Sequence, residues 1–288
     1  MTTDSRTRRT GRDRAVATRV GKHLIVILIG LAMTYPLAWM LVSAVRDEPD
    51  IFQTPGLWPV GDDFANFVEG WDAAGFPFSH YLVNSSLIAL GAIVGNLVSC
   101  SMAAYAFARL RFRGRRVFFG IMLLTIMLPI HVVIVPQYVL FSQVGWVNTF
   151  WPLIVPKLLA TDAFFVFLMV QFIRGIPREL DEAARIDGAG FFRIYAQILL
   201  PLMRPALVTT TIFTFIWTWN DFFTQLIYLT DPAMFTTSVA LRSLVDATSA
   251  SSWGPLFAMS VVSLLPVFIV FLVGQRYLVQ GIATTGGK

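Results

Sequence analysis

The most informative stretch of the sequence reads Ile176-Pro-Arg-Glu-Leu-Asp-Glu-Ala-Ala-Arg-Ile-Asp-Gly-Ala189, and it continues to Leu200-Pro201. Acidic residues in its first turn suit the positive end of a helix dipole, and Gly188 can supply the left-handed turn that ends a helix. We therefore predict a helix, a turn, and a second helix that runs to Leu200 and ends at Pro201. A spaced pattern, E-A-A then G, I and L-P, is met in full by Glu182, Ala183, Ala184, Gly188, Ile198, Leu200 and Pro201.

Outside this stretch the chain is too apolar for a soluble protein. Hydrophobic residues make up 56% of its 288 residues and charged residues only 14%, whereas soluble domains carry roughly 25% charged residues. We predict an all-α membrane protein with six transmembrane helices, since a helical span needs about 20 apolar residues. The six spans are Leu24–Val45, Tyr81–Ala108, Val117–Gln137, Phe150–Ile173, Ala206–Leu229 and Leu256–Val279.

Positive charges predict the orientation of these spans. The two termini and the loops 109–116 and 174–204 together carry 19 of the 22 Lys and Arg residues, and the alternate connections carry two, Arg46 and Arg242. Because Lys and Arg concentrate on the cytoplasmic side, we expect both termini and these two loops in the cytoplasm. The net charge of +5 then reports topology and does not indicate a nucleic-acid partner.

This pattern divides the chain into a basic cytoplasmic tail (1–23), a six-span domain (24–279) that contains the cytoplasmic loop 174–204, and a second tail (280–288). Within the second span, small residues recur every four positions, which predicts close approach of a neighbouring helix. These residues are Gly91, Gly95, Ser99 and Ala103.

The pattern from Glu182 to Pro201 resembles the signature loop of membrane permeases of ATP-binding-cassette (ABC) importers. Over nearly the whole chain the sequence is similar to the second permease of carbohydrate importers of the maltose-permease type, which implies the MetI-like permease fold. The C-terminal run from Thr284 to Lys288 departs from the usual ending of that family. The other matching segments are Asn84-Ser85, Ala104 to Arg109, Met127 to Pro129, Trp219-Asn220, and Gln275-Arg276 with Gly281.

The resemblance implies half of a translocation pathway for a sugar or sugar derivative, in a bacterial cell membrane. The implied partners are a different permease subunit, two cytoplasmic ATPase subunits and an extracytoplasmic solute-binding protein, besides the lipid bilayer. ATP and magnesium would be held by the ATPases, and the first helix of the loop would dock in an ATPase cleft. The coupling residues implied are Glu182, Ala183, Ala184, Arg185, Asp187 and Gly188.

A polar stripe marks the fifth span. Thr210, Thr214, Trp217, Asn220, Asp221, Thr224 and Gln225 follow the spacing of one helical face. A stripe with a carboxylate does not face lipid cheaply, so we expect it to face the translocation cavity or the partner permease. The residues predicted to line the cavity are Thr214, Trp217, Asn220, Asp221 and Gln225.

Other function classes remain open at this stage. The run from Gly281 to Lys288 lacks the Lys and Ser/Thr of a phosphate-binding loop, so we expect no enzyme and no cofactor or metal in this chain. An ion-gradient-driven carrier or channel would show paired intramembrane ionisable residues, and only Lys157, Asp162 and Asp221 lie near spans. An ABC importer of a non-carbohydrate solute, or a membrane scaffold without transport, are the remaining alternatives.

Overall fold

A computed structural model describes residues 4–54, 56–58, 60–246 and 252–283. Within these ranges every regular element is helical and no strand occurs, which confirms the predicted all-α class. The α-helices are α1 Asp4–Ser43, α2 Glu48–Gln53, α3 Ala65–Asp72, α4 Phe78–Arg109, α5 Arg115–Thr125, α6 Ile130–Gln143, α7 Trp151–Leu158, α8 Ala163–Gly175, α9 Glu179–Ile186, α10 Phe191–Arg193, α11 Leu200–Leu202, α12 Arg204–Asn220, α13 Phe223–Tyr228, α14 Thr237–Asp246 and α15 Trp253–Ala283. A π-helix spans Ile194–Leu199, and a 3₁₀-helix spans Pro232–Met234. The run Thr284–Lys288, singled out above, lies outside the described residues.

Among the described residues, four stretches are long and apolar enough to cross a membrane alone. Up to six qualify if each of two bent helix pairs forms one span, which is compatible with the six predicted spans. The four are Arg19–Ser43, Phe78–Arg109, Trp151–Gly175 and Trp253–Arg276, and the bent pairs are Arg115–Thr125 with Ile130–Gln143 and Phe191–Leu202 with Arg204–Asn220.

The third predicted span is bent, and the first helix is longer than its predicted span. The third predicted span, Val117–Gln137, is not one helix, because α5 and α6 meet at an angle of 101°. Pro129 sits between them in an extended conformation, and its ring and missing N–H prevent helix continuation. The first helix begins at Asp4, so it also includes most of the predicted basic tail 1–23. Arginines are good helix formers and no proline interrupts this segment.

The chain divides into two compact units. The smaller comprises residues 1–70 and 251–261. In it, the carboxylate of Glu48 accepts hydrogen bonds from the backbone N–H groups of Trp253, at 2.6 Å, and Gly254, at 3.0 Å. A side-chain acceptor at this position satisfies N–H groups that the first turn of α15 leaves without a helical partner.

The larger unit comprises residues 71–250 and 262–288 and is built around α4. Helices α7, α8 and α12 all pack against α4. The core lies between α4, α8 and the segment that follows α9. It extends to the C-terminal end of α4, against which the motif stretch packs. Its buried members are Cys100, Ala104, Tyr105, Ala108, Phe165, Val166, Met169, Val170, Ile173, Ala184, Ile194, Leu199 and Met203.

The stripe of small residues on α4 brings α7 into backbone contact, as predicted. A Cβ atom on Gly91 would lie 2.9 Å from the Ile154 side chain, and one on Gly95 would lie 2.9 Å from the carbonyl carbon of Lys157. Ser99 Oγ donates to the carbonyl oxygen of Lys157 at 2.7 Å. Close packing of this kind stabilises helix pairs where lipid supplies no hydrophobic drive.

Replacing Gly95 by alanine should therefore destabilise the chain, because the new methyl group meets α7 backbone that cannot rotate away. Overpacking of this size costs about 1–3 kcal/mol. The measurement is the apparent melting temperature of the detergent-solubilised protein. Gly120→Ala on α5 is the matched control, since a Cβ there meets nothing within 4 Å, and it should melt at or above the wild-type temperature. A Gly95→Ala protein as stable as this control would contradict the packing argument.

Candidate functional site

The predicted helix and turn of the motif stretch are both present. Helix α9 covers Glu179–Ile186, and Gly188 follows in the left-handed conformation with φ of 79°. The Gly188 N–H donates to the Arg185 carbonyl at 3.0 Å, and the Ala189 N–H donates to the Ala184 carbonyl at 2.9 Å. These two bonds form a Schellman motif, which fixes the direction in which the chain leaves α9.

The structure exposes five of the six predicted coupling residues and buries the sixth. Ala184 is 8% exposed and belongs to the core around α4. It therefore supports the loop from inside, whereas the neighbouring Ala183 is exposed. The exposed ones are Glu182, Ala183, Arg185, Asp187 and Gly188.

The second predicted helix of the loop is interrupted and longer than predicted. It contains a π-helix, Ile194–Leu199, and continues through Pro201 to Leu202. In the wider π-turn the Leu200 N–H donates to the carbonyl of Tyr195, five residues back. Proline has no N–H and its ring crowds the preceding turn, so the wider turn accommodates Pro201 inside the helix. The prediction that Pro201 ends the helix is wrong by one residue.

A buried ion pair joins α9 to the end of α4. Arg109 Nε lies 3.1 Å from Asp181 Oδ2, and the two side chains are 3% and 6% exposed. The Arg109 Nη2 group also donates to the Ile176 carbonyl oxygen at 2.7 Å. Among the described residues neither Arg109 Nε nor Asp181 Oδ1 has a hydrogen-bond partner, so the contact is an ion pair without hydrogen-bond geometry. The guanidinium group thus contacts both the segment that leads into α9, at Ile176, and the first turn of α9, at Asp181.

Sequence reasoning missed this pair. Asp181 was assigned only to the helix dipole, and Arg109 entered only as part of a matching segment. The available signal was an arginine at the end of an otherwise apolar span, facing a loop with three carboxylates in one turn. A charge in that position needs a partner if it is to be buried.

A second attachment holds the loop on the same helix. The hydroxyl groups of Ser101 and Tyr195 are 2.7 Å apart. The Tyr195 ring lies 5.5 Å from that of Tyr105, which in turn donates its hydroxyl proton to the Phe191 carbonyl at 3.2 Å. Together with the ion pair, these contacts bind both halves of the loop to about two turns of α4.

A polar cluster lies deeper in the helical core, where α7 gives way to α8. Lys157 Nζ contacts both carboxylate oxygens of Asp162 at 2.9 Å. Asn96 on α4 donates to Asp162 Oδ2 at 2.7 Å and to Thr214 Oγ1 on α12 at 3.1 Å. Ala160, between the charged residues, has a positive φ of 56°. The cluster ties three helices together at a break in the fourth predicted span.

The residues predicted to line a cavity on the fifth span separate into two groups. Thr214 and Gln225 are 2% exposed and are bonded within the chain, which corrects their assignment to the cavity. Trp217 and Asn220 are exposed, and Asp221 is half-buried.

The polar stripe divides into buried and exposed residues because the fifth predicted span, Ala206–Leu229, is broken. Helix α12 ends at Asn220, and Asp221 is extended. The Asp221 carboxylate then accepts from the Thr224 N–H at 3.1 Å, at the start of α13. Gln225 donates to the Thr218 carbonyl at 2.7 Å and accepts from Thr236. It satisfies a carbonyl that the break would leave without a partner.

Comparison with known proteins gives the family. The family of binding-protein-dependent transport system inner membrane components matches residues 95–284. The probable ABC transporter permease protein YurM of Bacillus subtilis is 34% identical over 271 residues, covering 94% of this chain and 88% of YurM. The sn-glycerol-3-phosphate transport system permease protein UgpE of Agrobacterium fabrum is 32% identical over 280 residues, covering 95% and 98%.

Two solved structures share the fold. One is the crystal structure of a bacterial ABC transporter involved in the import of the acidic polysaccharide alginate, with a TM-score of 0.80, 24% identity, and coverage of 92% of this chain and 97% of that one. The other is the bacterial alginate ABC transporter in complex with an alginate pentasaccharide-bound periplasmic protein, with a TM-score of 0.65, 15% identity, and coverage of 93% and 95%. At these identities the likeness concerns the fold.

The buried ion pair makes a prediction about stability. Asp181→Asn leaves the Arg109 guanidinium buried without a counter-charge, and breaking a buried pair in this way costs about 3–5 kcal/mol. Thermal denaturation in detergent should show a clear loss of stability. Glu179→Gln, an exposed change on the same helix, is the control and should alter stability by less than about 0.5 kcal/mol.

Replacing both partners by apolar residues, Arg109→Met with Asp181→Leu, should recover most of that loss, because no buried charge then remains. An Asp181→Asn protein as stable as Glu179→Gln would show that the pair does not hold α9 in place.

Proposed function

The chain belongs to the family of binding-protein-dependent transport system inner membrane components, and on that premise we propose that it forms one half of the solute pathway of an ABC importer for a sugar or sugar derivative. The observation that carries the proposal is the family match over residues 95–284, which includes the whole α9 loop. The geometry of that loop supplies a surface for a partner and a rigid connection to the helical core.

The substrate class follows from the relatives. UgpE is named for the transport of sn-glycerol-3-phosphate, and the structural neighbours for the import of alginate. Both solutes are rich in hydroxyl groups. An importer of a solute outside the carbohydrates is the alternative, and the sugar that stabilises the co-purified solute-binding protein would identify the substrate.

We place the protein as a multi-pass component of a bacterial cell membrane. The excess of Lys and Arg in the termini and in the loops 109–116 and 174–204 supports a cytoplasmic position for these segments. In that orientation α9 belongs to the cytoplasmic loop of a permease domain that spans residues 24–279, between tails 1–23 and 280–288. The exposed surface of α9 then faces the compartment in which ATP is available.

We assign ATP and magnesium to partner subunits. The partners in this proposal are a different permease, two cytoplasmic ATPase subunits and an extracytoplasmic solute-binding protein. Nothing in the sequence resembles a phosphate-binding loop followed by a helix, so the chain contributes no catalytic residue. Its part is mechanical: it accepts force at the loop and changes the shape of the pathway.

The docking surface is the outer side of α9 and the segment that follows it. Exposed apolar side chains stand beside the predicted coupling residues, among them Leu180 at 42%, Ile186 at 87% and Phe192 at 77% exposed. Exposed apolar patches with a charged rim are typical of protein interfaces. Glu182 and Arg185 supply charges of both signs for pairing in an ATPase cleft.

Force on α9 would reach the spans through the buried ion pair. Closure of the ATPase dimer would move α9, and Arg109 would carry this movement into α4 because the pair resists separation. Helices packed on α4 would then move with it, and the pathway would alternate between two states.

The Lys157–Asp162 pair does not indicate an ion-gradient-driven carrier. Both carboxylate oxygens are within 2.9 Å of Lys157 Nζ, and one also accepts from Asn96. A carboxylate satisfied in this way holds the α7–α8 break. The likeness to YurM, which is named as a probable ABC transporter permease, supports ATP as the driving force in this proposal.

Two neighbouring alanines give a matched test of docking. Ala183→Trp adds bulk to the exposed side of α9, so the chain should remain stable while ATPase co-purification and sugar uptake are lost. Ala184→Trp adds the same bulk to the core, so the isolated chain should lose stability by several degrees in its melting temperature. The measurements are pull-down of ATPase subunits, uptake into membrane vesicles, and thermal denaturation of each purified variant.

The result that contradicts the docking assignment is an Ala183→Trp protein that retains its ATPases and transports normally. Equal stability of the two variants would contradict the burial of Ala184 that the assignment assumes.

The exposed part of the fifth predicted span gives a test of the cavity. Asn220→Cys should react with a membrane-impermeant thiol reagent, at a rate that changes with nucleotide, because Asn220 is exposed on a polar edge of α12. Thr214→Cys is the control and should be protected, since Thr214 is bonded to Asn96 inside the chain. Both are made in a Cys100→Ser background. Equal labelling of the two positions, or a labelling rate at position 220 that does not change with nucleotide, would refute the cavity assignment.

A further inference from the structure

A basic cavity lies where α4 ends and α5 begins, apart from the α9 surface. Its volume is about 630 Å³, and four arginines line it: Arg111, Arg115, Arg116 and Arg174. The first three come from the loop after α4 and the first turn of α5, and the fourth comes from the last turn of α8. Three short segments thus contribute arginines to the lining of one cavity.

These four arginines have no acidic partner among the described side chains, where the ion pairs are Arg109–Asp181 and Lys157–Asp162. Arg115 also lies within electrostatic range of the charges of Arg116, Arg174 and Arg178. Its Nη1 group donates to the Leu110 carbonyl at 3.2 Å. Like charges held this close repel one another, and a bound anion would relieve the repulsion.

The contacts of Arg174 hold one wall of the cavity in place. Its guanidinium carbon lies 5.3 Å from the centre of the Phe119 ring, a cation–π geometry. Stacking on a ring leaves the edge of the guanidinium group, with its N–H donors, available to an anion. Planar guanidinium groups bind phosphate oxygens in pairs, which makes arginine the usual residue for phosphate recognition.

The surroundings of the cavity are apolar and exposed. Helix α5 contains no buried residue. Val117, which lines the cavity, is 64% exposed, and Ile121 and Leu124, one and two turns further on, are 52% and 64% exposed. A charged head group in the cavity would therefore continue directly onto an apolar helix face of the kind that contacts acyl chains.

We propose that this cavity binds the phosphodiester head group of an anionic phospholipid, with the acyl chains lying along α5. The phospholipid head group and a free phosphate share the negative charge and the phosphate oxygens that the arginines would recognise. The exposed apolar face beside the cavity favours the lipid, since a free phosphate would make no use of it. Basic sites between transmembrane helices at the membrane surface are suited to such head groups.

The test is native mass spectrometry of the full-length protein, purified in detergent with the subunits it retains. Phosphatidylglycerol and phosphatidylcholine with identical acyl chains are added in equal amounts. Phosphatidylglycerol should be retained preferentially, and Arg115→Gln with Arg174→Gln should reduce its retention by about tenfold or more, to the level of phosphatidylcholine. Arg113→Gln with Arg193→Gln is the matched control: it removes one charge from each of the same two loops but none from the cavity, so retention should be unchanged.

Three results would overturn the proposal. Equal retention of the two lipids would show no head-group recognition, and equal losses in the variant and the control would indicate loop charge without a site. Displacement of phosphatidylglycerol by millimolar inorganic phosphate would identify a site for free anions.

A measurement on the wild-type protein does not depend on folding of the variants. A photoreactive phosphatidylglycerol should crosslink within residues 111–119 or at Arg174, and crosslinks found only elsewhere would also overturn the proposal.

Discussion

The arrangement of the larger unit depends on one buried ion pair. Arg109 ends the central helix α4, Asp181 opens α9, and the two side chains meet at 3.1 Å with almost no exposure to solvent. Burying either charge alone would cost several kcal/mol, so α9 has one favoured position relative to α4. The second contact of Arg109, to the Ile176 carbonyl, fixes the segment that leads into α9. The proposed coupling role requires a rigid loop, and this pair contributes that rigidity.

Close packing of the helices gives that rigid connection its effect. Gly91 and Gly95 allow α7 to touch the backbone of α4, and Asn96 joins α4 to both Asp162 and Thr214. A displacement of α4 therefore reaches α7, α8 and α12 without an intervening flexible segment. The exposed part of α12, at Trp217 and Asn220, lies at the end of this chain of contacts. The proposed solute pathway and the proposed docking surface would thus be two ends of one packed structure.

Much of this was predictable from sequence because the relevant signals are local. Span composition, the turn at Gly188 and the small-residue stripe each need only neighbouring residues. The turn and the stripe are confirmed, and the described residues contain four spans, or up to six if each bent pair is one span. What sequence alone missed depends on contacts between distant residues. Ala183 and Ala184 are identical in type, and only the packing against α4 shows that one is buried. The polar stripe of the fifth span was read as one helical face, but the break after Asn220 turns Gln225 inward.

If the Arg109–Asp181 pair connects them rigidly, α9 and α4 move as one body. Spin labels at Glu179, on α9, and Val83, near the other end of α4, are both exposed and lie far enough apart for pulsed distance measurement, since Val83 is about 39 Å along the helix from Arg109. In the assembled transporter, in a Cys100→Ser background, the distance should stay the same with and without ATP while transport continues. The distribution of distances should broaden in the Asp181→Asn protein. A wild-type distance that changes by several ångströms between the nucleotide states would show that α9 moves independently of α4.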